Sequence, residues 1–371
     1  LDAAGAQSYD ASKDYRVFQN GTWKVVCESD VTIYAMRRSL LETVLRRQLD
    51  KLEGVTYLYQ ATVNDLLLSK DKKQVCGVQM TTPSGEETLS ADFVVDCSGK
   101  NASFQNVLYD EGFPKPDETE MGLEIYYMTC LYKVNPEDVP DWSMMTIYNH
   151  RPYEKQCGYA AFYNDDKSEV LVTLAEYGCD NPARTYDDFV KRAKELQQPH
   201  IYQLIQKSQR TSDMQVFKYP RMFRRHFEAA KGLPEGFVAL GDALASADPI
   251  TGAGMTKAVL EAQILDQHLL RAKGSLKAVP KGFYKEAAQL FDYMWLIIGE
   301  QAYRYPWVAG KRPIYQKIMN IYVDHLLKVA AYDRDAFVGY LMVVHFKATL
   351  TSLFKPKMVW KILQSIMKRR L

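Results

Sequence analysis

The pattern of apolar and polar positions changes character several times along the chain. Near its start, short apolar runs at 15–18, 23–26 and 31–34 read as strands, and Asn20-Gly21 supplies a hairpin turn between the first two. From Arg38 to about Leu52 the spacing of Leu41, Leu45 and Leu49 predicts an amphipathic helix. Strands follow around 54–61 and 75–82, and a Pro-Ser-Gly turn leads to an apolar strand that ends at Asp96. The runs then lengthen and fill with Tyr, Met, Val and Thr, at 122–132, 143–149, 158–164 and 169–177, as suits an antiparallel sheet with one open face. A helix is predicted over 186–206, and a basic, aromatic stretch from Lys218 to His226 carries the chain back to its first domain. A buried strand at 236–240 precedes a helix from Met255 to about Leu270, where Met255, Val259, Leu260, Leu265 and Leu269 recur at roughly helical spacing. Helical segments at 283–301, 314–331, 336–354 and 357–371 complete the chain.

Two strand ends carry the candidate chemistry. After 236–240, Gly241 frees the backbone to turn, and Asp242 stands just past the strand's carboxyl end, where open α/β sheets bind ligands. Its carboxylate can accept hydrogen bonds from sugar-type hydroxyls. Pro249 stiffens the loop, while Gly252 and Gly254 remove side chains where a helix begins, so backbone N–H groups can approach an anionic or carbonyl-bearing ligand. Such a stretch can receive a dinucleotide. The second strand end reads Asp96-Cys97-Ser98-Gly99-Lys100, which by itself also suits an ordinary side-chain-capped turn.

Taken in order, the helix that begins with Arg38, the Asp-x-Ser-Gly strand, a long β-rich insert and the Gly-Asp segment resemble the FAD-dependent monooxygenase-like flavoproteins. That family includes aromatic hydroxylases, squalene-epoxidase-like enzymes, flavin halogenases and geranylgeranyl-reductase-like enzymes. The resemblance runs from about Asp14 to Leu270. It implies that Gly241 and Asp242 meet the ribityl and pyrophosphate part of FAD, and that Pro249, Gly252, Gly254 and Met255 lie near the flavin ring. It also implies that Arg38 lies near the ribityl chain or pyrophosphate, and that Asp96 and Gly99 close on the cofactor, near an NADPH or NADH donor. The implied fold is α/β. An N-terminally truncated, Rossmann-like FAD-binding domain at 36–108 and 226–272 is interleaved with a mostly antiparallel substrate-binding sheet domain at 1–35 and 109–225. A helical region occupies 273–371. No catalytic side chain carries over, because the flavin supplies the chemistry and the protein positions substrate and excludes water.

The family's opening βαβ unit, with Gly-x-Gly-x-x-Gly and an acidic residue for the adenosine ribose, is missing from the sequence. The expectation is a fragment of a longer protein, with a split or degenerate relative as the alternative. Tyr126, Met128, Met145, Tyr148, Tyr159 and Phe162 on the predicted sheet are expected to line a large apolar substrate pocket. The position three residues after Gly241-Asp242-Ala243, where aromatic hydroxylases carry histidine, holds Ser246, and the halogenases' Trp-x-Trp-x-Ile-Pro is absent. The segment Asp248 to Met255 looks closest to squalene-epoxidase-like and prenyl-reductase-like members, which favours an isoprenoid- or polyketide-like substrate. The expected reaction is a monooxygenation (hydroxylation or epoxidation); double-bond reduction and a non-catalytic subunit role are the alternatives.

Composition adds limits. A net charge of +2 gives no global basic field for nucleic acid. Six scattered cysteines form no Cys-x-x-Cys pair, so no metal site is expected and a reducing compartment is. No C-terminal segment holds about twenty uninterrupted apolar residues. The last one, carrying Lys355, Lys357, Lys361, Lys368, Arg369 and Arg370, suits peripheral contact with a membrane as well as it suits packing on the protein's own core. The expected location is therefore cytoplasmic or membrane-associated on a reducing face. Nothing in the sequence fixes the oligomeric state.

Overall fold

The computed structural model describes residues 1–367 apart from 103, 150 and 311, so Lys368, Arg369 and Arg370 lie outside the described residues. The first part of the chain forms β1 (Gln7–Asp10), β2 (Tyr15–Gln19), β3 (Thr22–Trp23), β4 (Thr32–Ala35), α1 (Arg38–Leu49), β5 (Thr62–Leu68), β6 (Val75–Thr82), β7 (Gly85–Ser90), β8 (Val94–Asp96) and α2 (Phe104–Asp110). The middle forms β9 (Glu118–Lys133), β10 (Met144–Ile147), β11 (Gln156–Phe162), β12 (Glu169–Glu176), α3 (Tyr186–Lys194), α4 (His200–Lys207), β13 (Gln209–Arg210) and β14 (Gln215–Arg225). The last part forms β15 (Phe237–Ala239), β16 (Ala245–Ser246), α5 (Gly254–Arg271), α6 (Val279–Ala302), α7 (Gln316–Val329), α8 (Arg334–Val344) and α9 (Pro356–Met367).

A nine-stranded sheet in the order β16-β14-β9-β12-β11-β10-β2-β3, with β13 also on β9, dominates the α/β fold. It is mostly antiparallel; β10 and β2 run parallel. Because side chains alternate along a strand, each face gets its own core. On one face Met128, Cys130, Tyr132, Met145 and Phe162 pack with Phe189 of α3 and Ile201 of α4. On the other, Met121, Leu123 and Ile125 meet Ala247 and Ala253 of the loop before α5, together with Met294 and Ile298 of α6. Helices α7 to α9 enclose a third core against Val17 and Val31. β8 and β15 form a separate parallel pair, and β5, β6 and β7 form an antiparallel meander beside it.

Several expected elements shift. No strand forms at 54–61, where Val55, Leu58 and Tyr59 are exposed and without a pairing strand; Thr62–Leu68 pairs with β6 instead. The strand at 23–26 shortens to Thr22–Trp23, because Val25 donates its N–H to Ala330 O at 3.0 Å rather than to a ladder. The helix at 186–206 splits into α3 and α4, with Pro199 at the start of the second. The basic stretch from Lys218 becomes β14, the long partner of β9. The helical segment at 336–354 breaks after Val344 and resumes only as a short 3-10 turn, Leu350–Phe354.

Candidate cofactor site

The parallel pairing of β8 with β15, in the register Phe237↔Val94 to Ala239↔Asp96, sets the two chemically suggestive strand ends side by side. Leu240 N–H donates to Asp96 O at 2.9 Å, so the turns leave from the same edge. Gly241 has φ +67°, which favours glycine, and starts a 3-10 turn through Asp242 to Ala243. Asp242 is exposed, and its carboxylate has no hydrogen-bond or ion-pair partner among the described residues. Asp96 differs. It is buried, accepts from Ser98 N–H at 2.9 Å and lies 3.4 Å from Gln105 Nε2, so its carboxylate is taken up in shaping its own loop.

Between Gly241 and α5 the chain is fastened to the large sheet. β16 pairs with β14, matching Phe223 with Ser246. Asp248, fully enclosed, accepts from Ile250 N–H at 2.9 Å and from Tyr177 Oη at 2.8 Å, and so caps the 3-10 turn Pro249–Thr251. Gly252, φ +66°, ends that turn. Gly254 is the first residue of α5, which no side chain caps, and Met255 beside it is exposed. A Cβ built on Gly241, Gly252 or Gly254 would meet no atom within 4 Å, so the approach to this backbone is open.

Residues that sequence reasoning passed over hold the two turns together. Arg225 donates to Ala243 O at 2.6 Å and to Lys100 O at 3.2 Å, bridging both from β14. Gln105 Nε2 donates to Ala243 O at 2.9 Å. Lys257 and Glu261, one turn apart on α5 and both without solvent access, form an ion pair at 3.1 Å and also bond the Gly241 turn. Burial pushes the Lys257 ammonium down and the Glu261 carboxyl up from their usual values, and each is held back by the charge of the other. The pair was hidden in the sequence because an i,i+4 Lys–Glu pair ordinarily marks a solvated face and the apolar positions pointed elsewhere, yet Met255 and Val259 of that apolar set are exposed. Beside the Asp96 loop a cavity of about 240 Å³ is lined by Asn101, Gln105, Tyr109, Lys115, Arg221 and Arg225. Cys97 is exposed in the loop, and desolvation of its sulfur together with the charges of Asp96 and Glu261 raises its thiol pKa, which keeps it protonated.

The remaining candidates lie elsewhere. Arg38 opens α1 with an exposed side chain that pairs with Glu42 at 2.7 Å. The expected substrate-pocket residues are divided between the two faces of the sheet rather than gathered in one place. Met128, Met145 and Phe162 are packed into the core under α3 and α4. Tyr126, two residues before Met128 on the same strand, has the Lys218 ammonium 5.5 Å above its ring. Tyr148 packs toward the C-terminal helices, and Tyr159 toward Tyr9 and Ile33. The cause is the two-residue period of a strand, which sends neighbouring positions to opposite faces. The face that meets the loop carries Tyr127, stacked on Phe217 at 5.4 Å, Tyr219, whose hydroxyl lies 2.7 Å from Ser246 Oγ, and Tyr177, which donates to Asp248; Tyr159, two residues after Cys157 on β11, belongs to this face as well but packs farther along it.

Residues 158–286 match the family model for squalene epoxidase, and the match spans β11 through the start of α6. Among solved structures, the chain superposes on the flavin-dependent brominase Bmp2 with a TM-score of 0.60 at 16% identity, over 93% of this chain and 84% of that one. It superposes on Pseudomonas aeruginosa PqsL, described as a probable FAD-dependent monooxygenase, with a TM-score of 0.59 at 15% identity, over 92% and 83% of the two chains. The fold is that of the FAD-dependent monooxygenase-like flavoproteins. Within this flavoprotein fold, the chain is also 25% identical over 259 residues to protein Rv3254 of Mycobacterium tuberculosis. That alignment takes in 68% of the chain but only 53% of Rv3254, so the chain spans about half the length of this curated relative.

Proposed function

We propose that this chain is the flavin-facing and substrate-facing part of an FAD-dependent monooxygenase that acts on a hydrophobic, isoprenoid- or polyketide-like substrate. The observation that carries the reading is the β8–β15 pairing, which brings the Asp96 loop and the Gly241-Asp242 turn to one edge beside an uncapped helix start. The residues present fit an FAD. Asp242 offers an exposed, unpartnered carboxylate to ribityl-type hydroxyls, and the first N–H groups of α5 stand ready for carbonyl or phosphate oxygens. Arg37 and Arg38, at the start of α1, are paired with Glu169 and Glu42 and add nothing to this fit. Bound FAD supplies two-electron redox chemistry and the activation of dioxygen.

The chain's own residues bind, orient and exclude water. Tyr127, Phe217 and Tyr219 present an aromatic strip whose polar atoms are hydroxyls, two phenolic and one of Ser246, with no charged group among them, which supports a substrate poor in charge. The partial match to squalene epoxidase supports the same class. NADPH or NADH is proposed as donor on the family resemblance; the cavity beside the Asp96 loop offers Lys115, while its Arg221 and Arg225 are already paired with Glu118. Helix α9, with Trp360, Leu363 and Met367 exposed on one side, supports peripheral contact with a membrane. No helix among the described residues is long and apolar enough to cross one.

The test is an absorbance spectrum of the natural full-length protein. Flavin bands near unit stoichiometry support the reading; a colourless protein that takes up no added FAD refutes it. Donor consumption stimulated only by small phenols, and not by apolar compounds, would overturn the substrate class.

A further inference from the structure

We propose that Lys257 and Glu261 are positioning residues that hold the Gly241–Ala245 turn in the shape the flavin meets, an inference that rests on the FAD reading above. A Lys–Glu pair at i,i+4 on a helix is ordinarily a solvated surface pair of small effect. Here both side chains are completely buried, and their contacts extend beyond each other. Lys257 Nζ donates to Gly241 O at 2.8 Å and to Ala245 O at 2.7 Å, one at each end of the turn. Glu261 accepts from Gly241 N–H at 2.7 Å and from Lys257 at 3.1 Å. The pair thus grips both peptide groups of the residue that begins the turn, and Asp242 is next in the chain. The Phe291 ring, 4.9 Å from Lys257 Nζ, lines the other side. A buried ion pair adds little stability over apolar groups of the same volume. Its distinctive contribution is three fixed backbone groups, two at Gly241 and one at Ala245, that bracket the exposed carboxylate of Asp242.

The experiment compares the natural full-length protein with Lys257→Met, Glu261→Gln and the double variant Lys257→Met/Glu261→Leu. Each single variant strands a buried partner, so its melting temperature falls. The double variant replaces the pair with apolar groups and recovers most of that loss. A purely structural pair would then also recover flavin affinity. The proposal expects the recovered double variant to bind FAD about tenfold or more weakly, as befits lost hydrogen bonds to charged groups. It also expects faster amide hydrogen exchange at Gly241 without any flavin present. Wild-type FAD affinity together with unchanged exchange at Gly241 in the double variant would overturn it. If the wild-type protein takes up no FAD, the functional reading fails separately, and exchange at Gly241 still decides whether the pair positions the turn. Should the double variant not fold, Lys257→Met carries the same two readouts.

Discussion

Asp242 and Asp96 end neighbouring strands, yet their carboxylates have different work. Asp242→Asn removes an exposed carboxylate with no hydrogen-bond or ion-pair partner among the described residues, so it should weaken FAD binding about tenfold, at the scale of one charge-assisted hydrogen bond, and change the melting temperature little. Titration of flavin absorbance against a thermal melt checks both halves. Phe162 gives the converse case. It is fully buried under α3 and α4, so Phe162→Ala should cost about 3–5 kcal/mol in denaturant unfolding. In the folded fraction the substrate KM should be unchanged, since this face is remote from the loop before α5. Lys24 sets a pH dependence. Its ammonium is buried, donates to Gln19 O at 2.6 Å and to Thr22 Oγ1 at 2.8 Å, and burial pushes its pKa down from 10.5 to about 7. Between those values the unfolded chain binds more protons than the folded one, so stability rises with pH across that window. Lys24→Met should flatten the rise, measured as the difference in unfolding midpoint between pH 7 and pH 10.

At the scale of elements, the sequence was most legible where strand or helix periodicity coincided with local turn chemistry. Asn20 and Gly21, with φ of +53° and +73°, form the expected hairpin turn, and the helix after Gly254 runs to Arg271 as its apolar spacing implies. Legibility failed where pairing partners decide the outcome. Residues 54–61 have strand-like composition but no neighbouring strand, while Thr62–Leu68 finds one across a short turn. β14 was hidden because its charges suit a solvated loop, yet Arg221 and Arg225 meet Glu118 across the ladder. The candidate pocket residues part company for a simpler reason. Residue type marks an apolar sheet, but only register tells which face meets the loop before α5. In α9, Lys361 is held by Asp333 and Asp335, whereas Trp360, Leu363 and Met367 are exposed. Trp360→Glu should therefore reduce flotation with anionic liposomes and leave helicity intact, checked by sedimentation and circular dichroism.

Across the whole molecule, stability is unevenly shared. The nine-stranded sheet has a buried core on each face, whereas β8 and β15 share a ladder of three residue pairs, and Val95 remains exposed. Short parallel ladders are weak unless covered on both faces. Amides of β8 should therefore exchange earlier than those of β9 and β12 in native-state hydrogen exchange, through local opening rather than global unfolding. The pairing of β16 with β14 has the opposite effect. Because Ser246 belongs both to the loop leaving the Gly-Asp turn and to the edge of the large sheet, backbone pairing ties that turn to β14. On the function proposed above, the turn and the sheet face beside it are expected to move as one body. Admission of substrate and departure of product then fall to segments outside this stitched unit, and their rates of opening, rather than any swing between domains, would pace turnover.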